Sequence, residues 1–135
     1  MRILLVDNDG VLARSLQDLF VVQEANLDYV LSAQAGWQKL REGQRYDAIL
    51  IDASEDVLID GEQSLCELIR QHYPTMERIA LTGEYGALED TYAQERYHAI
   101  IIKGLMPLDA YYSPRSSSVS IDVYDILNGK KLRER

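Results

Sequence analysis

The sequence has few of the residues that mark secreted or membrane proteins. Among its 135 residues a single cysteine, Cys66, excludes an internal disulfide and predicts a reducing, cytoplasmic location. No apolar run exceeds four residues, whereas a membrane-spanning helix needs about 20. The acids that follow Val6 do not fit a secretory signal. We therefore expect neither a membrane partner nor an export route.

Basic residues are also scarce. Lys and Arg together number 14 against 22 Asp and Glu, which gives a net charge of −8. This balance argues against nucleic-acid binding through phosphate contacts and favours a metal cation, a basic patch on a partner, or solubility alone. Hydrophobic residues make up 47% of the chain, which is enough for a core. At this length we expect one domain spanning residues 1–135.

Short apolar segments alternate with helical patterns along the chain. Strands are predicted at residues 2–7, 46–52, 78–83 and 98–103, with a weaker one at 27–33. Between the strands, large side chains recur at helical spacing and predict four helices. These side chains are Leu12/Leu16/Leu19/Phe20, Trp37/Leu40, Leu65/Leu68/Ile69 and Leu88/Tyr92. The strands are apolar throughout, as in a parallel sheet covered on both faces. The pattern predicts a doubly wound, three-layer α/β sandwich with a five-stranded parallel sheet.

The last 32 residues fit this pattern less well. Pro107 and Pro114 interrupt them, and residues 118–127 (SVSIDVYDIL) are compatible with either a late helix or a strand. We therefore expect a domain core at about residues 2–103, followed by an atypical C-terminal segment or linker.

Polar side chains follow four of the predicted strands. The first strand leads into Asp7-Asn8-Asp9, and the other three end at Asp52, at Thr82-Gly83 and at Lys103. Asp9, just before a helical pattern, is predicted to cap that helix. Because ligands of such sheets bind beyond the carboxyl ends of the strands, these residues are expected to converge. Two carboxylates held close repel each other, and a lysine together with a hard cation such as Mg²⁺ would neutralise them.

This arrangement resembles the receiver domain of two-component response regulators over roughly residues 2–103. The supporting fragments are ILLVDND, RYDAILIDAS, DGEQSLCELIR, RIALTG and AIIIK. The ordered residues Asp7, Asp52, Thr82 and Lys103 are separated by 45, 30 and 21 residues, which are receiver-like intervals. The resemblance implies the flavodoxin-like fold of receivers.

The resemblance also implies roles for individual residues. Asp52 would accept a phosphoryl group, Thr82 would hydrogen-bond that group and Lys103 would pair with it. Mg²⁺ would be the cofactor, held by Asp7, Asn8, Asp52 and the backbone carbonyl of Ser54, with Asp9 as an additional candidate ligand. The resemblance implies a signalling domain with self-catalysed phosphotransfer and dephosphorylation rather than a dedicated enzyme.

The implied partners follow from the same resemblance. The phosphoryl donor would be a histidine kinase or a phosphotransfer protein. The signal would pass, as a conformational change, to a downstream protein or to a C-terminal output domain absent from this chain. A homodimer is compatible with the resemblance.

Several positions depart from the receiver pattern. Asn8 replaces a carboxylate metal ligand by an uncharged amide, and Gly104 stands where a proline usually follows the lysine. The usual aromatic three residues before the lysine is Ile100, with Tyr97 as its nearest substitute. The loop after Asp52 lacks the usual proline and carries Glu55 and Asp56 as extra negative charge. This loop charge could either help a metal or repel a phosphodonor. Asn8, Ile100 and Gly104 favour the alternative of a pseudo-receiver, an interaction module of the same fold without phosphotransfer.

A weaker resemblance leads to a third hypothesis. Residues 7–12 (DNDGVL) match the opening motif of haloacid-dehalogenase-type phosphatases, in which Asp7 would be the nucleophile and Asp9 the general acid. The downstream acid pair would then be Asp122 and Asp125. Against this hypothesis, the chain has no segment typical of the inserted cap, and Asp52 would have no role.

Overall fold

Strands and helices alternate along the chain in a computed structural model, as the hydrophobic pattern predicts. The structure describes residues 1–59, 61, 63–83, 95–104 and 108–130. The strands are β1 (Arg2–Val6), β2 (Asn26–Val30), β3 (Ala48–Asp52), β4 (Glu77–Thr82), β5 (Ala99–Ile102) and β6 (Asp109–Tyr112). The helices are α1 (Gly10–Val22), α2 (Ala33–Arg41), α3 (Leu65–His72) and α4 (Ser118–Leu127). The predicted helix at Leu88 and Tyr92 lies outside the described residues.

The sheet contains one more strand than the sequence predicts. Its order is β2-β1-β3-β4-β5-β6, and the first five strands run parallel. The sixth strand, β6, pairs antiparallel with β5, from Ile102 opposite Asp109 to Ala99 opposite Tyr112. The prediction of five parallel strands is thus correct for β1–β5 and incomplete at the edge. An antiparallel edge strand on an otherwise parallel sheet is common among mixed sheets.

Apolar side chains cover both faces of the sheet. This agrees with the sequence, in which the strands are apolar throughout and do not alternate between apolar and polar residues. In β1, Ile3 and Leu5 point to the face covered by α1 and α4, whereas Leu4 and Val6 point to the face covered by α2 and α3. All four side chains are fully buried. A sheet enclosed in this way leaves its strand ends as the accessible polar positions.

The C-terminal segment folds onto this sandwich. Of the two possibilities left open for residues 118–127, the structure has the helix, α4. Its Val123, Ile126 and Leu127 join the core formed with α1. Its first turn is capped by Ser117, whose side chain accepts a hydrogen bond from the backbone N–H of Val119. Within the described residues, no helix is both long and apolar enough to cross a membrane.

Candidate functional site

The residues that end four strands meet at one edge of the sheet. The parallel register aligns Val6 with Ile51, Asp52 with Leu81, and Thr82 with Ile102. Asp7 and Lys103 are the residues that follow β1 and β5. Because neighbouring parallel strands lie about 4.8 Å apart, this register brings the strand-end side chains within reach of one another.

Lys103 joins the two predicted carboxylates. Its Nζ donates hydrogen bonds to Asp52 Oδ2 at 2.5 Å and to Asp7 Oδ2 at 3.4 Å. The backbone N–H of Lys103 also donates to the carbonyl of Thr82 at 2.6 Å. Burial lowers the pKa of Lys103, but the hydrogen bond to Asp52 and the charge of Asp7 outweigh it, so the pKa lies above its usual value. The lysine is therefore firmly cationic.

Asp52 is held from two sides but stays partly accessible. Its Oδ1 accepts hydrogen bonds from the backbone N–H and the hydroxyl of Ser54, at 2.9 and 2.7 Å. Burial raises its pKa, yet the hydrogen bonds from Lys103 and Ser54 bring the pKa below its usual value. The carboxylate is thus ionised at neutral pH, and 16% of its side chain remains exposed.

Asp7 is the buried member of the pair. Only 1% of its side chain is exposed, and its Oδ1 accepts a hydrogen bond from the backbone N–H of Asp9 at 3.0 Å. Asp9 caps α1 as predicted, because its Oδ1 accepts from the backbone N–H groups of Val11 and Leu12. Asn8, between the two acids, is exposed. The side chains after β1 therefore differ in accessibility although they are adjacent in sequence.

The donor set is suited to a hard cation, although it is small. Two carboxylates, Asp7 and Asp52, already share one positive charge on Lys103, and oxygen ligands of this kind are those that Mg²⁺ prefers. The amide of Asn8 and the backbone of Ser54 adjoin these acids in sequence. Among the described residues, no group of three or more His, Cys, Asp or Glu side chains forms a metal-binding cluster. Metal affinity would thus depend on neutral ligands as well as on charge.

Thr82 ends β4 with its side chain largely buried, 8% exposed. Gly83 follows it, and a Cβ added to Gly83 would meet no atom of the described part of the chain within 4 Å. Among the described residues, no side chain or backbone atom therefore crowds Gly83, the residue next to Thr82.

One buried cluster near the site was not identified from the sequence. Tyr97 donates a hydrogen bond from its hydroxyl to Asp56 Oδ2 at 2.6 Å, and Arg96 lies 3.5 Å from the same oxygen. The Asp56 side chain is fully buried. Asp56 is therefore not a free negative charge beside a phosphodonor, as the sequence suggested it could be. In the sequence Asp56 is one of two adjacent acids, Glu55 and Asp56, and no spacing rule links it to Tyr97, 41 residues away.

Ile100, at the position of the usual receiver aromatic, is buried in the core on the α2/α3 face. Tyr97 also packs there, and burial together with the Asp56 carboxylate raises its pKa well above the usual value. Tyr97 is thus a neutral, anchored hydrogen-bond donor, and Ile100 offers no polar group.

Comparisons with known proteins agree with this geometry. No protein-family model and no curated protein matches the chain, but solved structures do. The signal receiver domain of an HD domain-containing protein from Pseudomonas fluorescens Pf-5 is 27% identical, with 70% of each chain covered and a TM-score of 0.53. The response regulator TrrA from Thermotoga maritima, solved in complex with Mg²⁺-BeF, is 19% identical over 78% of this chain and 88% of that chain, with a TM-score of 0.63.

A third solved structure, a CheY-like response regulator receiver domain from Methylobacillus flagellatus, is 20% identical. The match covers 90% of this chain and 92% of that chain, with a TM-score of 0.58. These likenesses confirm the receiver-domain resemblance and the α/β fold that it implies.

Proposed function

We propose that this chain is the phospho-accepting receiver domain of a two-component response regulator and that Asp52 takes the phosphoryl group. The observation that carries the proposal is the contact of Lys103 Nζ with Asp52 Oδ2, since it places a fixed cation beside a carboxylate that is still partly accessible. A carboxylate can attack phosphorus only when its own charge and the phosphoryl oxygens are neutralised.

The difference between the two acids supports Asp52 over Asp7 as the nucleophile. A phosphoryl donor must approach the attacking oxygen in line, and Asp7 is only 1% exposed against 16% for Asp52. Asp122, needed by the phosphatase hypothesis, is 2% exposed on the face of α4 that packs into the protein. These observations favour the receiver over the phosphatase.

The transfer step uses residues already in place. An oxygen of Asp52 attacks the phosphorus of a phosphohistidine, a P–O bond forms, and the P–N bond breaks. The imidazole of the donor keeps the electron pair and takes up a proton from solvent. Lys103 then pairs with a phosphoryl oxygen, and the Thr82 hydroxyl donates a hydrogen bond to another. The new acyl phosphate occupies the space beside Gly83.

Asp7, Asn8, Asp52 and the Ser54 carbonyl are the groups that would hold Mg²⁺, with Asp9 as an additional ligand. Asp9 caps α1 through Oδ1 alone, so its Oδ2 is the oxygen that would reach the ion. When bound, the ion would neutralise charge on the phosphoryl oxygens. Apart from the capping Asp9, Asp7 is the one acid after β1 among the proposed ligands. We therefore expect the affinity of the site for Mg²⁺ to be modest.

The partners follow from this role. The donor would be a histidine kinase or a phosphotransfer protein, and the acceptor of the signal would be a downstream protein or a C-terminal output domain. A net charge of −8 makes direct nucleic-acid binding by this domain unfavourable. A cytoplasmic location fits both the partners and the single buried cysteine.

Labelling with a small acyl or amido phosphate in the presence of Mg²⁺ tests the proposal. Intact-mass measurement and peptide mapping should place one phosphoryl group on Asp52, and Asp52→Asn should abolish the label while Asp18→Asn, on exposed α1 surface, keeps it. Label on Asp7 would instead support the phosphatase. No label at saturating Mg²⁺ would support the pseudo-receiver, which the exposed amide of Asn8 and the aliphatic Ile100 favour.

A further inference from the structure

A cavity of about 900 Å³ lies at the opposite edge of the sheet from Asp52. Its walls come from the end of α3, the beginnings of β4 and β5, the strand β6 and the turn after it. Arg78 and His98 stand at the beginnings of β4 and β5, whereas Thr82 and Lys103 stand at their ends. Four or five strand residues separate the two sets, which is about 15 Å. The cavity is therefore separate from the candidate phosphorylation site.

The walls of this cavity concentrate positive charge in an acidic protein. Arg70, Arg78 and Arg115 all line it. None of them takes part in an ion pair with any residue that the structure describes. Arg78 is only 5% exposed, and its Nε donates to the backbone carbonyl of Arg96 at 2.7 Å. A buried guanidinium without a carboxylate partner is unusual, because burying a charge is costly unless it is paired.

Nearby acids do not neutralise this cluster. Glu77 precedes Arg78, but its carboxylate accepts hydrogen bonds from the backbone N–H of Ser117 and the hydroxyl of Ser120. Among the described residues that line the cavity, the single acid is Glu95, which is exposed. Burial and the charges of Arg70 and Arg115 lower the pKa of Arg78, although Glu77 opposes them. The arginines thus repel one another across the cavity, and an anion would relieve that repulsion.

His98 adds a neutral donor to the same wall. Its Nδ1 accepts a hydrogen bond from the backbone N–H of Arg78 at 3.0 Å, so the neutral ring carries its proton on Nε2. Burial and the charge of Arg78 lower the pKa of His98, which keeps the ring neutral at pH 7. Tyr111 and Tyr112, on β6, also line the cavity. Tyr111 pairs with Ile100 and lies on the α2/α3 face with 45% of its surface exposed, whereas the Tyr112 ring packs edge-to-face on Tyr124 of α4.

We propose that this cavity binds a small molecule bearing one or more phosphate groups, with Arg70, Arg78 and Arg115 as the cationic contacts. Guanidinium groups match phosphate oxygens through paired hydrogen bonds. The volume lies within the range of small-molecule sites, and Tyr111 supplies an exposed aromatic face on which an apolar or planar part of the ligand could rest. A ligand bound in the cavity would contact α3, β5 and β6 together. The domain would then respond to that ligand as a second signal. The proposal does not depend on phosphotransfer at Asp52.

Calorimetric titration in EDTA tests the proposal, because chelation removes metal-dependent phosphate binding near Asp52. Inorganic pyrophosphate and ADP are the probes, and comparing them separates recognition of a free phosphate group from recognition of a nucleotide. Citrate is a carboxylate control of similar charge. We expect at least one phosphate probe to bind with a stoichiometry of one and at least tenfold more tightly than citrate.

Two exposed arginines allow the site to be tested without disturbing the buried one. Arg70→Gln and Arg115→Gln should each weaken binding about tenfold or more. Each variant loses a hydrogen bond to a charged phosphate, and one such bond changes the affinity about tenfold or more. Arg14→Gln, which removes the same charge from the exposed surface of α1, should change the affinity less than twofold. Thermal unfolding of each variant verifies that it is folded.

Amide NMR spectra locate the ligand on the same sample. The signals of Ala99, Tyr112 and Arg115 should shift on addition of the tighter probe, and those of Asp52 and Ser54 should not. The proposal is overturned if neither probe binds at millimolar concentration, if citrate binds equally well, if the two variants bind as the wild type does, or if the shifts are confined to Asp7–Asp9 and Asp52–Ser54. A failure of labelling at Asp52 would leave these results unaffected.

Discussion

The hydroxyl of Tyr97 donates a 2.6 Å hydrogen bond to Asp56 Oδ2 and so connects the segment before β5 to the loop after β3. The other carboxylate oxygen, Oδ1, accepts from the backbone N–H of Cys66 in the first turn of α3 at 3.2 Å. Asp56 lies four residues after Asp52, so this one carboxylate anchors the loop that leaves the proposed phosphorylation site. Movement of that loop would require breaking buried polar contacts.

Replacement of Tyr97 by Phe removes this hydrogen bond without changing the packing of the ring. We expect Tyr97→Phe to lower the free energy of unfolding by about 1 to 3 kcal/mol, because a buried carboxylate then loses a donor. Urea denaturation with an unchanged m-value provides the measurement. Tyr46→Phe is the matched control, since Tyr46 donates to the partly exposed Asp28, which also pairs with Arg2. An equal loss in both variants would contradict the special role of the buried pair.

The sequence predicts the parallel part of the fold well because each strand is uniformly apolar. The runs at Ile3–Val6 and Ala48–Ile51 can be stable only between two helical layers, and the polar residue after each strand must then lie at the sheet edge. Convergence of Asp7, Asp52 and Lys103 follows from that topology. The cap at Asp9 is similarly local, since it depends on an acid just before a helical pattern.

The remaining features depend on contacts between distant segments. The strand Asp109–Tyr112 is a short edge strand with exposed tyrosines, and its antiparallel pairing with β5 is a contact that hydrophobic periodicity does not predict. The hydrogen bond from Tyr97 to Asp56 spans 41 residues. The grouping of Arg70, Arg78 and Arg115 likewise depends on how α3, β4 and the turn after β6 meet. The hydrophobic periodicity of a single sequence carries no information on contacts between segments that are far apart in the chain.

Replacement of Lys103 by Met tests the charge balance of the proposed site. Asp52 has a lowered pKa, so its contribution to stability is present above its unfolded value near 3.8 and is lost as the pH falls through the folded pKa. Lys103 has a raised pKa, so its contribution is present below 10.5 and is lost as the pH rises through the folded pKa. The pair thus contributes most at intermediate pH.

We therefore expect Lys103→Met to destabilise the fold by about 1 to 2 kcal/mol at pH 7, a value reduced by partial solvent exposure. The difference should shrink below about pH 4 as the carboxylates of both proteins take up protons. Urea unfolding over this pH range is the measurement, and the pKa of Asp52, followed by carboxyl ¹³C NMR, should rise in the variant. Lys39→Met, on α2, should show neither effect. A difference that is independent of pH would indicate lost packing instead.

Replacement of Asn8 by Asp adds a carboxylate next to Asp7. We expect Mg²⁺ to bind about tenfold more tightly to Asn8→Asp, because a charged oxygen replaces a neutral one. Repulsion between the adjacent acids should destabilise the metal-free protein. Calorimetric titration with MgCl₂ measures the affinity, and Asn26→Asp at the exposed start of β2 makes the same change in net charge. A folded Asn8→Asp protein with unchanged affinity would show that Asp9 or Glu55 already supplies the missing charge.

Replacement of Glu77 by Gln tests how α4 is attached to the sheet. The Glu77 carboxylate accepts from the backbone N–H of Ser117 at 2.8 and 3.1 Å and from the hydroxyl of Ser120. Burial raises its pKa, but these hydrogen bonds and the nearby His98 bring the pKa below 4.5. Its contribution to stability is therefore present above pH 4.5 and is lost as the pH falls through the lowered folded pKa.

At pH 7 the Glu77→Gln variant should be less stable by about 1 to 2 kcal/mol, since its amide cannot accept from every donor that the carboxylate satisfies. The loss should narrow on acidification, because the wild-type carboxylate then becomes protonated as well. Urea unfolding measures the loss, and amide hydrogen exchange should become faster in Ser118–Leu127 before it does in β1. Glu24→Gln, at an exposed position after α1, should leave both quantities unchanged. Exchange that accelerates equally in all elements would mean that Glu77 supports the whole fold and not the docking of α4 in particular.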